Sequence, residues 1–494
     1  MKMRLKSGLM AAAYAAVALA LTGCGGGDSK DTASPAKLMR VNSATALAQV
    51  SADDYDANVN GIVTGATLQR WMSDWTNQRP PGITGKLVIF QATAGPAGAE
   101  FIKSDGVNVF TYLSPSSEWV QTRSNGVIET VSMVPDGAAM DALFKKYAID
   151  PTRDMIVAAM GTGSNPNAMS QGRIWYALRY WGVERQHLAI LNGGNQWLNG
   201  NGLAAADFQA TASTAPGNGS FSVKQLLVDN TALQATVQDL LAVLPNVNRN
   251  QKGDGVLIWD ARSASQYSAG QVVERGEDTD PDTAGNQGCG SALCVPTNVD
   301  NYRWTFQNGG SRQGHPWGTL QLQYTHMLDP TKGFAYRPKS VLAAYLDGNV
   351  DANGIGLIDA SYAPVGAGNG YQEGDTVYVY CETTFRAMIT GVVSAVILGK
   401  PTRFYDGAMV EWNSLSYITD RTGNAILPVN SPWRTDVKSF FRPAMSTAEV
   451  APRTITDPYA WGTDAIVESD RGYKTGESVA GGGGGGLPSN PCGG

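Results

Sequence analysis

The chain has 494 residues, with 37 lysines and arginines against 43 aspartates and glutamates, giving a formal net charge of −6. That length accommodates two ordinary domains with full cores. The acidic balance, without a basic stripe to neutralise phosphates, excludes a nucleic-acid partner.

Residues 1–23 carry Lys2, Arg4 and Lys6 followed by an apolar run from Leu9 to Leu21. This is the pattern of a signal peptide, too short for a spanning helix and ending in small residues. Its removal deletes three positive charges and takes the formal charge from −6 to −9. Leu21-Thr22-Gly23-Cys24 resembles a bacterial lipobox, which makes Cys24 the expected lipid-modified first residue, with ordinary secretory cleavage as the alternative. Residues 24–60 then form the lipidated cysteine and a flexible tether. The expected location is the bacterial cell envelope, anchored in a membrane through the lipid. Gly25 after the cysteine favours the outer membrane.

Residues 61–210 are expected to form a first α/β domain. Lys86 to Phe90 and Val107 to Tyr112 read as strands, and Asp136 to Tyr147 as a helix with Ala139, Leu143 and Tyr147 on one face. Met155 to Met160 reads as a buried strand, followed by a loop from Gly161 to Pro166. Gln171 to Trp181 follows as a helix closed by Gly182. Leu188 to Leu191, Asn192-Gly193-Gly194 and Trp197 complete the unit. Residues 211–250 read as a linker and a lead-in helix.

Residues 251–430 repeat the order strand, loop, helix, glycine, strand, Asp-Gly, Trp, so a duplication is the simplest reading. The second domain carries an insertion, 268–313, longer than connections in compact domains usually are. Within it Cys289 and Cys294 lie five apart, for which a disulfide clasp is the default in an exported loop. A metal site is the sharper alternative, and no histidine lies in that loop to support it. Residues 431–494 form a C-terminal extension with a Gly-rich tail that ends in Pro491-Cys492. Cys492 is either a tail thiol or a second thiol able to resolve chemistry at the main site.

That main site is Cys381-Glu382-Thr383-Thr384-Phe385-Arg386. The strand-like Thr376 to Tyr380 precedes it, and Ala387 to Leu398, apolar almost all round, follows as a buried helix. Strand, tight loop and helix aim backbone N–H groups and the positive helix end at one point. A thiol there is expected to ionise easily and to act as a nucleophile; a buried structural cysteine is the bland alternative. In the first unit, Met160 stands where the second has Cys381. No cysteine occurs in residues 25–288. The first unit is therefore expected to be silent and to wall one side of the cleft.

The loop resembles the active-site loop of the rhodanese (sulfurtransferase) family, which is a cysteine, four residues, and an arginine or threonine. Three more landmarks occur in the family's order. Val256 to Arg262 resembles its strand ending in Asp-x-Arg, and Gly314-His315-Pro316-Trp317-Gly318 resembles its Gly-His-Ile-Pro-Gly turn. Phe404-Tyr405-Asp406-Gly407 with Glu411-Trp412 resembles its closing segment. The resemblance implies two tandem rhodanese-like domains, each a mostly parallel sheet flanked by helices, the first inactive. It implies sulfane-sulfur transfer through a persulfide on Cys381, with Arg386 as a fixed charge and no metal or organic cofactor. Glu382, Thr383, Thr384 and Phe385 would bind substrate, and Arg262 would orient an anionic donor. Asp260 and His315 would be structural. A small sulfur anion or persulfide would be the donor and a thiol the acceptor.

Glu382 departs from the basic loops of thiosulfate-specific members, and Glu-Thr-Thr is not the Gly-Ser-Gly of mercaptopyruvate-specific ones. The carboxylate should repel a dianion and oppose ionisation of the thiol. Persulfides, polysulfides and selenium or tellurium oxyanions fit as well as thiosulfate. Two other functions stand beside this one. The first is a non-enzymatic binding or redox-partner module at the outer membrane, beside membrane redox proteins. The second is a phosphatase or arsenate reductase of Cys-x5-Arg type, disfavoured because only four residues separate Cys381 from Arg386.

Overall fold

The computed structural model describes residues 39–126, 129–244, 254–267, 273–274, 293–294, 314–415, 422–424 and 465–476. The expected signal peptide, Cys24, Cys289 and Cys492 lie outside these residues, as does most of the 268–313 insertion. Of the insertion, Val273–Glu274 pairs antiparallel with Leu293–Cys294.

The first half contributes strands β1 (Gly61–Val63), β2 (Leu87–Gln91), β3 (Val109–Leu113), a hairpin of β4 (Gln121–Ser124) and β5 (Glu129–Met133), then β6 (Met155–Ala159) and β7 (Leu188–Leu191). The second contributes β8 (Gln234–Ala235), β9 (Val256–Asp260), β10 (Leu320–Gln321), β11 (Thr376–Tyr380) and β12 (Thr402–Tyr405). The first sheet runs β1-β7-β6-β2-β3 and the second β8-β12-β11-β9-β10. Every neighbour pair in both is parallel. With its members ranked along the chain, each sheet has the order first, fifth, fourth, second, third. The fold is α/β, and the matching orders agree with the repeat read from the sequence.

The central strands are buried end to end in β2, β6 and β9, whose Val/Ile/Leu/Phe/Trp-rich runs suit a parallel sheet covered on both faces. Helices that bear on the site are α1 (Gly137–Tyr147), α2 (Asn165–Tyr180), α3 (Val237–Val243), α4 (Phe385–Val392), α5 (Ala408–Ser414) and α6 (Ala465–Thr475). α2 starts at Asn165 rather than at Gln171, because Ser164 caps it by accepting from the Asn167 N–H and Pro166 sits in its first turn. The 211–250 stretch, expected as linker and lead-in helix, is helical at α3 and supplies β8 as an edge strand of the second sheet.

The halves share one core. α2 crosses α4 so closely that a Cβ on Gly172 would lie 2.7 Å from the Met388 Cβ. A Cβ on Gly391 would lie 2.0 Å from the Phe404 ring, so glycine seats α4 on β12. The Tyr176 and Phe404 rings, one from each half, meet with centroids 4.8 Å apart.

The C-terminal extension is not all tail. α6 docks through a buried Arg123–Asp470 ion pair at 2.6 Å, a Tyr180 Oη–Asp470 hydrogen bond of 2.7 Å and a Tyr473 Oη–Asp141 bond of 2.6 Å.

Candidate active site

β11 lies between β12 and β9, and its residues from Val377 to Tyr380 are buried. The strand therefore delivers Cys381 to the interior at its C-terminal end, where α4 begins four residues later. The turn is made at Thr384, which sits in the left-handed region at φ 64°. A non-glycine residue there carries backbone strain on the order of 1 kcal/mol. Its hydroxyl offsets this by donating to the carbonyls of Tyr405 at 2.8 Å and Asp406 at 3.2 Å.

The backbone N–H groups of Thr383, Arg386 and Ala387 converge on the Cys381 thiol, and the Arg386 guanidinium adds positive charge. All four favour the thiolate. Yet Cys381 has 0% exposure, and burial pushes the thiol above its ordinary value, outweighing Arg386 and the amides. The expected ring of donors is present; the expected ease of ionisation is not, because desolvation is the larger effect.

The other loop residues divide by direction. Glu382 is buried with Oε2 3.8 Å from Arg262 Nη1, so its charge is opposed by a cation. Thr383 is buried, and its Oγ1 has no hydrogen-bond partner among the described residues. Phe385 is half-buried, with its ring centroid 5.9 Å from the Arg173 guanidinium. Arg386 Nη1 donates to Gln266 Oε1. Two amides of α5, those of Met409 and Val410, donate to the carbonyls of Cys381 and Glu382 at 3.2 Å each.

Arg262 is fully buried. Its guanidinium donates to the Asp260 carboxylate at 3.0, 3.1 and 2.6 Å and, from Nη2, to the Gly314 carbonyl at 2.5 Å. Tyr380 Oη donates to the same carboxylate at 2.9 Å. This ties the ends of β9 and β11 to the 314–318 turn beneath the loop. His315 belongs to the same knot: Nδ1 lies 2.8 Å from the Tyr267 carbonyl and the imidazole stacks on the Tyr267 ring at 3.7 Å. Burial lowers its pKa to about 4.

Two contributions from the first half were not read from the sequence. Arg173 of α2 forms a fully buried ion pair with Asp406, and Asn125 beside the β4–β5 hairpin donates to Glu411 of α5. Asp406 and Glu411 are visible in the sequence as parts of a landmark. Their partners lie in the other half, and nothing local marks them. In the first sheet Met160 follows β6 at the position of Cys381 after β11, buried and without a thiol.

No protein-family model and no curated protein matches the chain. Among solved structures it is similar to the 3-mercaptopyruvate sulfurtransferase SseA from Escherichia coli, described as having the rhodanese fold, at 16% identity and TM-score 0.43, covering 71% of this chain and 98% of that one. Tum1 from Saccharomyces cerevisiae is similar at 13% identity and TM-score 0.42, covering 74% and 98%. The anaerobic ergothioneine biosynthesis enzyme from Chlorobium limicola is similar at 12% identity and TM-score 0.40, covering 70% and 67%. The likeness to rhodanese-fold structures is one of fold. The chemistry of this site is argued from Cys381 and its neighbours.

Proposed function

We propose that the protein is a sulfurtransferase that carries a sulfane sulfur as a persulfide on Cys381. The observation that supports this best is the convergence of three loop amides and Arg386 on one thiol. Such an array stabilises an anionic sulfur at a fixed point without reorganising. Cys381 as thiolate attacks the outer sulfur of a persulfide, polysulfide or thiosulfate donor. The donor's S–S bond breaks, its remaining part leaves with the electron pair, and a Cys381–S–S⁻ forms. An acceptor thiolate then attacks the outer sulfur, departs as its own persulfide and restores the Cys381 thiolate. No net oxidant is needed.

Burial of Cys381 requires that the loop open toward solvent for a donor to reach it. Opening also lifts part of the desolvation that raises the thiol's pKa, while the amides stay on the same short segment. The first half, with Met160 in place of a thiol, serves as support. The protein would work at the cell envelope, held by lipid on Cys24.

One observation favours a second reading, a binding module that never uses the thiol: Cys381 has 0% exposure and a raised pKa. A transfer assay on the purified chain with persulfide, polysulfide and thiosulfate donors and a thiol acceptor separates the two. Donor-dependent turnover abolished by Cys381→Ser supports the enzyme. Failure of every donor with the wild-type chain supports the module.

A further inference from the structure

We propose that Arg173, carried by the first half, is a positioning residue for Cys381, holding the ring of loop amides in place through Asp406 and Thr384. The inference rests on Cys381 being the reactive thiol, and it assigns the first half a role beyond walling a cleft.

The connection is continuous. Arg173 is 0% exposed and grips both oxygens of Asp406, Nη1 to Oδ1 at 2.5 Å and Nη2 to Oδ2 at 3.0 Å. Its Nη2 also donates to the Ser132 carbonyl at 2.7 Å, and the Val134 N–H donates to Asp406 Oδ2 at 2.8 Å. The Asp406 side chain is thereby fixed to α2 and to the end of the β4–β5 hairpin, both in the first half. Its main chain faces the other way: Asp406 and Tyr405 carbonyls accept the Thr384 hydroxyl.

Thr384 is the strained residue that turns the loop into α4, and α4 starts with the amides of Arg386 and Ala387 that point at the thiol. Just beyond Asp406, the Met409 and Val410 amides hold the carbonyls of Cys381 and Glu382. Residues 405–410 thus clasp the loop at both ends, and the clasp is fastened to the first half by the Arg173 guanidinium together with the Val134 N–H. A bidentate arginine fixes orientation as well as charge, which a lysine does not.

A structural ion pair alone would move stability and leave the thiol's properties unchanged, so the test reads the thiol directly. In the full chain, the pH dependence of Cys381 alkylation is followed by mass spectrometry of its own peptide, which keeps the other cysteines out of the signal. Arg173→Lys retains the charge and loses the fork. Arg173→Met with Asp406→Leu removes both charges together, so that no buried charge is stranded. Thr384→Val deletes only the hydroxyl at the far end of the connection. Arg386, Glu382, Arg262 and Asp260, the charged groups of the loop and of the β9 end behind it, are untouched in all three.

Displaced amides no longer offset burial, so the alkylation midpoint should move to higher pH in each variant. Persulfide transfer should fall by about tenfold or more, the scale on which small misplacements act. The inference is overturned if folded Arg173→Lys and the double variant keep the wild-type midpoint and rate. The two readings fail separately. If no donor loads sulfur on Cys381 yet the midpoint moves, the sulfurtransferase reading fails and the positioning role stands. If sulfur loads and transfers while the midpoint stays fixed, the reverse holds.

Discussion

At Cys381 two opposing effects are built into the segment from Cys381 to Ala387. Amides and Arg386 favour the thiolate, burial opposes them, and burial prevails. Glu382 shows why spacing alone misleads. Next to a nucleophile it reads as a repellent for anionic donors; in the structure it lies against Arg262 at 3.8 Å with 3% of its side chain exposed. Glu382→Lys would set a cation against Arg262 in that buried space. It is expected to cost about 3–5 kcal/mol of stability, the range for stranding a buried charge. A urea titration checks this, and an unchanged midpoint would mean the side chain turns out to solvent. His315 gives a pH dependence. Its folded pKa, about 4, lies below the ordinary 6.5, so the folded state binds the proton less readily than the unfolded chain. This stability is present in full above pH 6.5 and drains as pH falls toward 4, by roughly 3 kcal/mol in all. Unfolding measured from pH 7 down to about 4 should show that loss. In His315→Gln the slope should be shallower.

Among the elements, the central strands and the helix capped by Asp136 are legible in the sequence, and the start of α2 is not. Leu87–Gln91, Met155–Ala159 and Thr376–Tyr380 emerge from apolar runs, because a central parallel strand is buried on both faces and has no polar alternation. α2 was read as starting at Gln171 because Ser164-Asn165-Pro166 carries the residues of a loop as well as those of a cap. The same difficulty hid α6, a short polar helix held on the first half by the buried Arg123–Asp470 pair and by hydrogen bonds from Tyr180 and Tyr473. Asp470→Ala should leave Arg123 buried and unpaired and cost about 3–5 kcal/mol. Thermal unfolding would show it. Gly172 is a second test at this level. A methyl there meets Met388 across the α2–α4 crossing, and Gly172→Ala should destabilise by about 1–3 kcal/mol through overpacking.

For the molecule entire, the repeat underlies the proposed division of labour. Both sheets have one strand order, both place a buried strand before a loop and helix, and only the second has a thiol at that point. The repeat and the loop could be read from the sequence since each is local or periodic. The fastening of one half to the other could not, because Arg173 and Asp406 are 233 residues apart and each looks ordinary in its own segment. The first half has Met160 at the position of the thiol, and its Arg173 and Val134 hold Asp406 next to its neighbour's loop. If it is support alone, residues 39–210 should transfer no sulfur from any donor, in the same assay that reports turnover by the full chain. The measurement that bears most directly on the whole is mass spectrometry of the Cys381 peptide after incubation with persulfide, polysulfide and thiosulfate. The expected result is the gain of one sulfur atom on Cys381, removed by an acceptor thiol and absent in Cys381→Ser. A folded chain whose Cys381 alkylates yet gains no sulfur from any of these donors would contradict it.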